Sequence, residues 1–516
     1  MAGLGHAFGR IGPMTDTTAP AAASAAPPPT EDAKKRRREL VEKLLARPAV
    51  RSEGEVRLGG KAMPYAVALD FIPVSGPVFA DTGGEPEAAV FTTAYALKGT
   101  EPRRRPVCFA FNGGPGSASV WLHLGALGPK RVQVNDDGSM PLPPYAVSDN
   151  PHSWFEHFDL VFVDPPHTGY SIAASEEART KLLGVDGDVE ALAECVRAWL
   201  GRHRRWGSPI YIAGESYGTT RGAALADKLQ ELGVAVSGVI LVSCAMDLQS
   251  IVFAPHNDLP YALFLPAFAG VAQYHGRLKG TLAKSPEAAR AAAEAFVEED
   301  YLRALHRGAG LDGKARERIV KRIAELTGLA PAFVAEKNLR IADQDFFFEL
   351  LRGEGRMVGR LDARVTGPMA ASRTRTWEFD PGIETIAPAY TMAALGYMGR
   401  ELGLATTQRY EILSMEVHEQ WNWNRGKDKG NGYASTSGDL ARAMRRNPHL
   451  KVLVASGHYD LGTPYSASNW SLAQIDAPPE VLARIEHHYY DAGHMMYTRE
   501  ADLVKLKADL VAWLAK

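Results

Sequence analysis

The sequence predicts an α/β fold: a doubly wound, mostly parallel sheet with an antiparallel N-terminal edge and a helical cap inserted late in the chain. Three observations carry this. Short continuous apolar runs recur at 107–111, 160–163, 210–213, 239–243 and 452–455, the mark of strands covered on both faces. Helical patterns separate them; Val189, Leu192, Ala193, Val196, Trp199 and Leu200 follow helical spacing between the second run and the third. The third run leads straight into Gly214-Glu215-Ser216-Tyr217-Gly218 and then into helix-forming residues, which is a strand, a sharp turn and a helix around one serine.

Residues 1–30 are rich in Ala, Pro, Gly and Thr, and their composition reads as a disordered tail. Their Ala-rich stretch, broken by prolines, is a poor secretory signal, so a cytoplasmic location is favoured over export. Lys34 to Arg38 is a basic run on the solvated face of a helix ending near Arg47-Pro48. From Gly54 to Leu97 the pattern alternates through Val56, Leu58, Tyr65, Val67, Leu69, Phe71, Val90 and Thr92, which predicts antiparallel hairpins at one sheet edge. Residues 31–246 form the first part of the core, 247–410 the cap and 411–516 the second part of the core. Inside the cap, Ser285-Pro286-Glu287 opens one helix, a second near 313–327 ends at Gly328, and a third follows Pro388. The apolar stretch Tyr261 to Ala272, interrupted by Pro266, is cap core or a wall of the substrate channel.

Composition excludes several classes. Charged residues make up 23% and apolar ones 46%, as in a globular enzyme, and a formal net charge of −2 argues against a general nucleic-acid binder. No apolar run is long enough for a membrane-spanning helix. Cys108, Cys195 and Cys244 are too few for a disulfide framework, and Cys108 and Cys244 lie in apolar runs as reduced core residues. No ligand cluster has zinc spacing, so no metal or other cofactor is expected. The sequence leaves the oligomeric state open.

A serine hydroxyl is a weak nucleophile and needs a base held in the right tautomer. Downstream of Ser216, the run 452–455 enters Ser456-Gly457-His458-Tyr459-Asp460, placing an acid at the C-terminal end of a strand, where such sheets keep their functional groups. Tyr489-Tyr490-Asp491-Ala492-Gly493-His494 follows after the next strand. Asp460 is therefore assigned as the orienting acid and His494 as the base. His458 is a rival base that breaks the order serine, acid, histidine. His487 and His488 alternate faces of a strand and are core or surface residues. The oxyanion needs backbone donors: one from Tyr217, the residue after the nucleophile, and one from the Gly-rich loop Asn112-Gly113-Gly114-Pro115-Gly116.

With these motifs in order, the chain resembles the serine carboxypeptidase family, and looks most like its bacterial members. The likeness rests on Asn112-Gly-Gly-Pro-Gly, Asp164-Pro165-Pro166-His167-Thr168-Gly169-Tyr170-Ser171, Gly214-Glu-Ser-Tyr-Gly, Gly457-His-Tyr-Asp460 and Gly493-His-Met, with Gly359-Arg-Leu-Asp-Ala-Arg364 in the cap as a bacterial-type segment. It implies an α/β-hydrolase fold, a peptide substrate cut at its C-terminus, and no metal. It implies a triad of Ser216, Asp460 and His494, oxyanion donors at Gly114 and Tyr217, and Asn112 and Glu215 on the substrate's terminal carboxylate. An esterase, amidase or acyltransferase on the same scaffold is the alternative, and an idle binding protein the remote one. The chain departs from the family at Ser117, where secreted members have cysteine, and at Ala126, where a glutamate pairs with the one before the nucleophile. Without that partner, Glu215 is expected to ionise more readily unless burial substitutes for it.

Overall fold

The computed structural model describes residues 31–75, 84–426 and 433–516; the expected tail, 1–30, lies outside them. A helix, α1 (Glu31–Ala46), leads into three long strands, β1 (Val50–Leu58), β2 (Lys61–Ser75) and β3 (Pro86–Leu97). The core strands follow: β4 (Val107–Phe111), β5 (Asp159–Val163), β6 (Ile210–Glu215), β7 (Val236–Val242), β8 (Lys451–Gly457) and β9 (Ile485–Tyr490). The order across the sheet is β1-β2-β3-β5-β4-β6-β7-β8-β9, with a short strand at Ile172–Ala173 beside β3. Pairings from β1 to β5 are antiparallel, and those from β5 through β4 to β9 are parallel. This is the α/β-hydrolase fold, with the antiparallel strands at one edge.

Both faces of the sheet are covered, which is why the parallel strands read as unbroken apolar runs. One face carries α2 (Val185–Arg202), α3 (Tyr217–Glu231) and a helix at Ser437–Arg446, through Leu192, Trp199, Leu225, Leu229, Leu440 and Met444. The other carries α1 and the C-terminal helix Glu500–Ala515, through Val41, Leu44, Leu506 and Trp513. Cys108, Cys195 and Cys244 are free and buried.

Between β7 and β8 the chain leaves the sheet and builds a mostly helical unit with its own core, including Phe264, Phe268, Ile323 and Phe346. Its helices include α4 (Leu259–Tyr274), α5 (Pro286–Phe296) and α6 (Gly313–Thr327). The Ser285 hydroxyl caps α5 by accepting from Ala288 N, and α6 ends on left-handed Gly328. Helix α4 continues through Pro266, which removes one backbone donor. Its side chains are buried on nearly every side, and that packing outweighs the loss. Residues of α4 pack in this helical core and do not line the catalytic cleft.

Candidate active site

Four loops at the C-terminal ends of parallel strands meet in one cleft. The loop after β4 brings Asn112, Gly113 and Gly114; the turn after β6 brings Glu215, Ser216 and Tyr217; His494 follows β9. The loop after β8 contributes Gly462 and Thr463 to the wall, with Asp460 buried behind them. The sheet therefore brings together residues separated by more than three hundred positions.

Ser216 sits on a backbone with φ 60° and ψ −129°, a conformation that costs a non-glycine residue strain of about 1–3 kcal/mol. The turn lifts it to the start of α3 and leaves it half-buried, facing the cleft. Gly214 is required here: a Cβ on it would lie 2.0 Å from the Gly218 oxygen. Gly113 is as tightly held, since a Cβ there would lie 2.4 Å from Tyr217 N and 2.6 Å from Gly218 N. The Gly-rich loop is thus pressed against the elbow, with backbone N–H groups from both beside the serine.

Asp460 is fully buried and accepts four hydrogen bonds. Gly462 N (2.7 Å) and Thr463 N (2.9 Å) donate to Oδ1, and the Thr463 hydroxyl (2.7 Å) donates to Oδ2. The fourth runs from His494 Nδ1 to Oδ2 at 2.7 Å. Burial alone would raise the Asp460 pKa, but the His494 charge and these bonds outweigh it and hold the carboxyl below its usual range. Burial works against the His494 cation, and Asp460 more than offsets it, so the imidazole pKa is raised. The His494 backbone is pinned by its N–H to the Leu361 oxygen (2.6 Å) and by the Ser243 hydroxyl to its carbonyl (2.6 Å). His458 lies elsewhere: it pairs with the exposed Asp491 at 3.1 Å, stacks on Tyr489 and does not line the cleft. His487 bonds Ser456 Oγ, and His488 faces Glu486 and Asp509.

Asn112 and Glu215 are in contact, with Asn112 Nδ2 donating to Glu215 Oε1 at 2.8 Å. Leu122 N donates to the Asn112 side-chain oxygen, Oδ1, at 3.0 Å and fixes the amide. Burial pushes the Glu215 carboxyl up to about 7, against the His494 charge and hydrogen bonding from Tyr497 and Asn112. Glu215 thus falls under the exception to the expectation for Ala126: burial substitutes for the missing partner, and desolvation does what a second carboxyl would have done. Between about pH 4.5 and 7 the folded carboxyl keeps a proton that the unfolded chain releases, so stability falls as pH rises across that window. Glu215→Gln cannot ionise. It should match the natural protein near pH 4 in urea unfolding and exceed it by about 3 kcal/mol at pH 8. A pH-independent difference would refute the raised carboxyl.

Other residues support the site, and two of them, Arg221 and Asp188, carried no signal in the sequence. Arg221 and Asp188 form a fully buried ion pair at 2.7 Å beneath the elbow. Arg221 also donates to the Asn112 carbonyl (2.6 Å) and lies over the Phe111 and Tyr217 rings, tying β4, α2 and α3 together. Asp164, from the Asp-Pro-Pro motif, accepts from Ser119 N (2.9 Å) and Ser119 Oγ (2.8 Å), so that motif braces the segment after the Gly-rich loop. Among the described residues, no three His, Cys, Asp or Glu side chains are grouped to hold a metal ion, and no helix is long and apolar enough to cross a membrane.

Comparison with known proteins gives a partial match. Residues 84–237 match the family model described as serine carboxypeptidase, and over that stretch this chain is similar to the serine carboxypeptidases. Serine carboxypeptidase-like 8 of Arabidopsis thaliana is 27% identical over 153 residues, 29% of this chain and 33% of that protein. The pheromone-processing carboxypeptidase KEX1 of Yarrowia lipolytica is 31% identical over 160 residues, 30% of this chain and 23% of that protein. The matched stretches thus span a third or less of these relatives' own lengths. A solved structure of Kex1(delta)p, a prohormone-processing carboxypeptidase from Saccharomyces cerevisiae, superposes with a TM-score of 0.54 over 87% of this chain and 91% of that one. At 12% identity it speaks for the fold. The serine carboxypeptidase match includes the Gly-rich loop, the Asp164 motif and Ser216, and stops before Asp460 and His494.

Proposed function

We propose that this protein is a serine-type exopeptidase that removes residues from the C-terminus of peptides through an acyl-enzyme. One observation carries the reading: a serine on a strained elbow opens into the same cleft as a histidine whose far nitrogen is bonded to a buried aspartate. In this scheme Ser216 Oγ attacks the scissile carbonyl carbon and His494 Nε2 takes the hydroxyl proton. Asp460 holds the Nδ1–H tautomer and stabilises the imidazolium. The N–H groups of Gly114 and Tyr217 stabilise the oxyanion. His494 then hands the proton to the departing amine, and water repeats the sequence to release the acyl group.

Exopeptidase specificity rests on Asn112 and Glu215. Glu215 Oε2 is buried and has no hydrogen-bond partner meeting full geometry, and the carboxyl titrates near neutrality. When protonated, it can donate to a substrate carboxylate, and Asn112 holds it in place. The helical segment 247–410 acts here as the cap that shapes the side-chain pocket. The likeness to bacterial members rests on the 359–364 segment; the relatives above are plant and yeast proteins. The cytoplasmic placement rests on residues 1–30 alone, which lie outside the described residues.

A matched pair of peptides, one with a free C-terminus and one amidated, tests the reading. An exopeptidase should prefer the free acid at least tenfold in kcat/KM, the scale of one hydrogen bond to a charged group (about 1.5–3 kcal/mol). Equal rates would move the assignment to an amidase or esterase.

A further inference from the structure

The segment Gly359–Arg364 takes no part in the triad chemistry, yet it forms a wall of the catalytic cleft. It comes from the helical insertion and touches both loops that carry the acid and the base. The Leu361 oxygen accepts from His494 N at 2.6 Å, the Arg360 oxygen accepts from Leu461 N at 2.9 Å, and Ala363 N donates to the Tyr459 oxygen at 3.0 Å. Beneath it, buried Asp380 accepts from Arg360 N (2.9 Å), Leu361 N (3.1 Å) and Gly382 N (2.8 Å). The backbone at Arg360 is therefore fixed from two sides, and so is the point from which its side chain enters the cleft.

Arg360 lines the cleft together with Ser216 and His494. Its guanidinium carbon is 3.5 Å from where a Cβ on Gly462 would lie, two residues beyond the catalytic acid. Its charge is felt at His494 and His418, and at the buried carboxyls of Asp343 and Asp380. Asp343 tethers it at 3.8 Å. No other Lys or Arg lines the cleft among the described residues, and burial drives His418 down to about 4, so it is neutral at pH 7. The remaining wall is largely apolar, including Trp121, Leu248, Ile251 and Leu413. A permanent cation that enters this largely apolar cleft, with Asp343 and Asp380 offsetting part of its charge from the protein side, favours an anionic group on whatever binds there.

We propose that Arg360 is a specificity-determining residue that binds a carboxylate of the substrate inside the catalytic cleft. This rests on the serine hydrolase reading above. A guanidinium presents five donors in a planar fork, so an arginine tethered to one carboxylate can engage a second. The carboxylate is the free C-terminus of the peptide or an acidic side chain next to the scissile bond, and the experiment separates the two.

The test compares the natural enzyme, Arg360→Gln and Arg360→Lys on three substrate pairs. The first is an N-acylated Phe-Leu free acid against its amide. The second has Glu against Gln at the penultimate position, both as free acids. The third has Glu against Gln at the terminal position, again both as free acids. Arg360→Gln should cut the preference for the charged member of at least one pair by about 10- to 100-fold in kcat/KM, mainly through KM, the size expected for a charge-assisted hydrogen bond. The pair affected names the carboxylate. Arg360→Lys should keep part of that preference, because the charge stays and the fork is lost. Unchanged ratios in all three pairs would overturn the proposal. So would equal losses on both members of every pair, which would make Arg360 a brace for the Asp460 loop. A fluorophosphonate probe on the natural enzyme separates the two levels. Labelling at Ser216 with unchanged ratios sinks this inference alone, whereas no labelling sinks the serine hydrolase reading and this inference with it.

Discussion

Replacing Ser216 with alanine should lower kcat by about 10⁶-fold and abolish fluorophosphonate labelling. The residue lies at φ 60°, where alanine is strained as serine is, so the substitution adds no new backbone cost. The flanking glycines that permit the turn are untouched, and the melting temperature should stay within about 2 °C, the shift expected from a few tenths of a kcal/mol. Weak residual turnover from the oxyanion donors and from binding is expected, as when a triad loses any member. Rates measured on a peptide and on an activated ester, with thermal melts alongside, decide the matter. Near-normal hydrolysis of both by the alanine variant would mean that the nucleophile lies elsewhere.

The second large effect is at Asp460. Its four hydrogen bonds leave both carboxylate oxygens occupied, and one of them is the 2.7 Å bond to His494 Nδ1. Asp460→Asn keeps the shape but favours the wrong imidazole tautomer, and kcat should drop by about 10⁴-fold. The raised His494 pKa depends on the same carboxylate. The pH at which kcat/KM rises should therefore move down in the asparagine variant, because without that carboxylate buried His494 gives up its proton, and becomes a neutral base, at lower pH. His458→Ala, by contrast, removes a side chain paired with exposed Asp491 outside the cleft and should cost less than tenfold, the range of a surface change within about 0.5 kcal/mol. A larger loss at His458 than at His494 would overturn the assignment of the base.

Much of this site was legible in the chain. The elbow at Ser216 announces itself because a serine between two glycines, after an apolar run and before a helix, has few other uses. The strands of the parallel sheet were legible because burial on both faces leaves no polar alternation. Asp460 and His494 followed from the order of groups along the chain and their places after strands. They lie outside the stretch that matches the serine carboxypeptidase model; a 2.7 Å bond joins them to each other, and the cleft that His494 shares with Ser216 joins them to the elbow.

Other features had no local signature. Arg221 and Asp188 look like ordinary helix charges; their burial follows from α2 and α3 packing on the same face of the sheet. Thr463 orients Asp460 through one hydroxyl, a distance that no spacing rule encodes. Arg360 comes from a helical insertion with a core of its own and meets the catalytic loops through backbone hydrogen bonds, which are blind to side-chain identity. The charge of the Glu215 carboxyl was left open by the sequence, because its proton affinity is set by how much water is excluded around it. By itself the sequence determined which groups are candidates for the chemistry and after which strands they lie, since periodicity and motif order are properties of the chain. The tertiary structure alone decided how those groups are charged, braced and matched to a substrate, since burial and contact between distant segments exist only once the chain has folded.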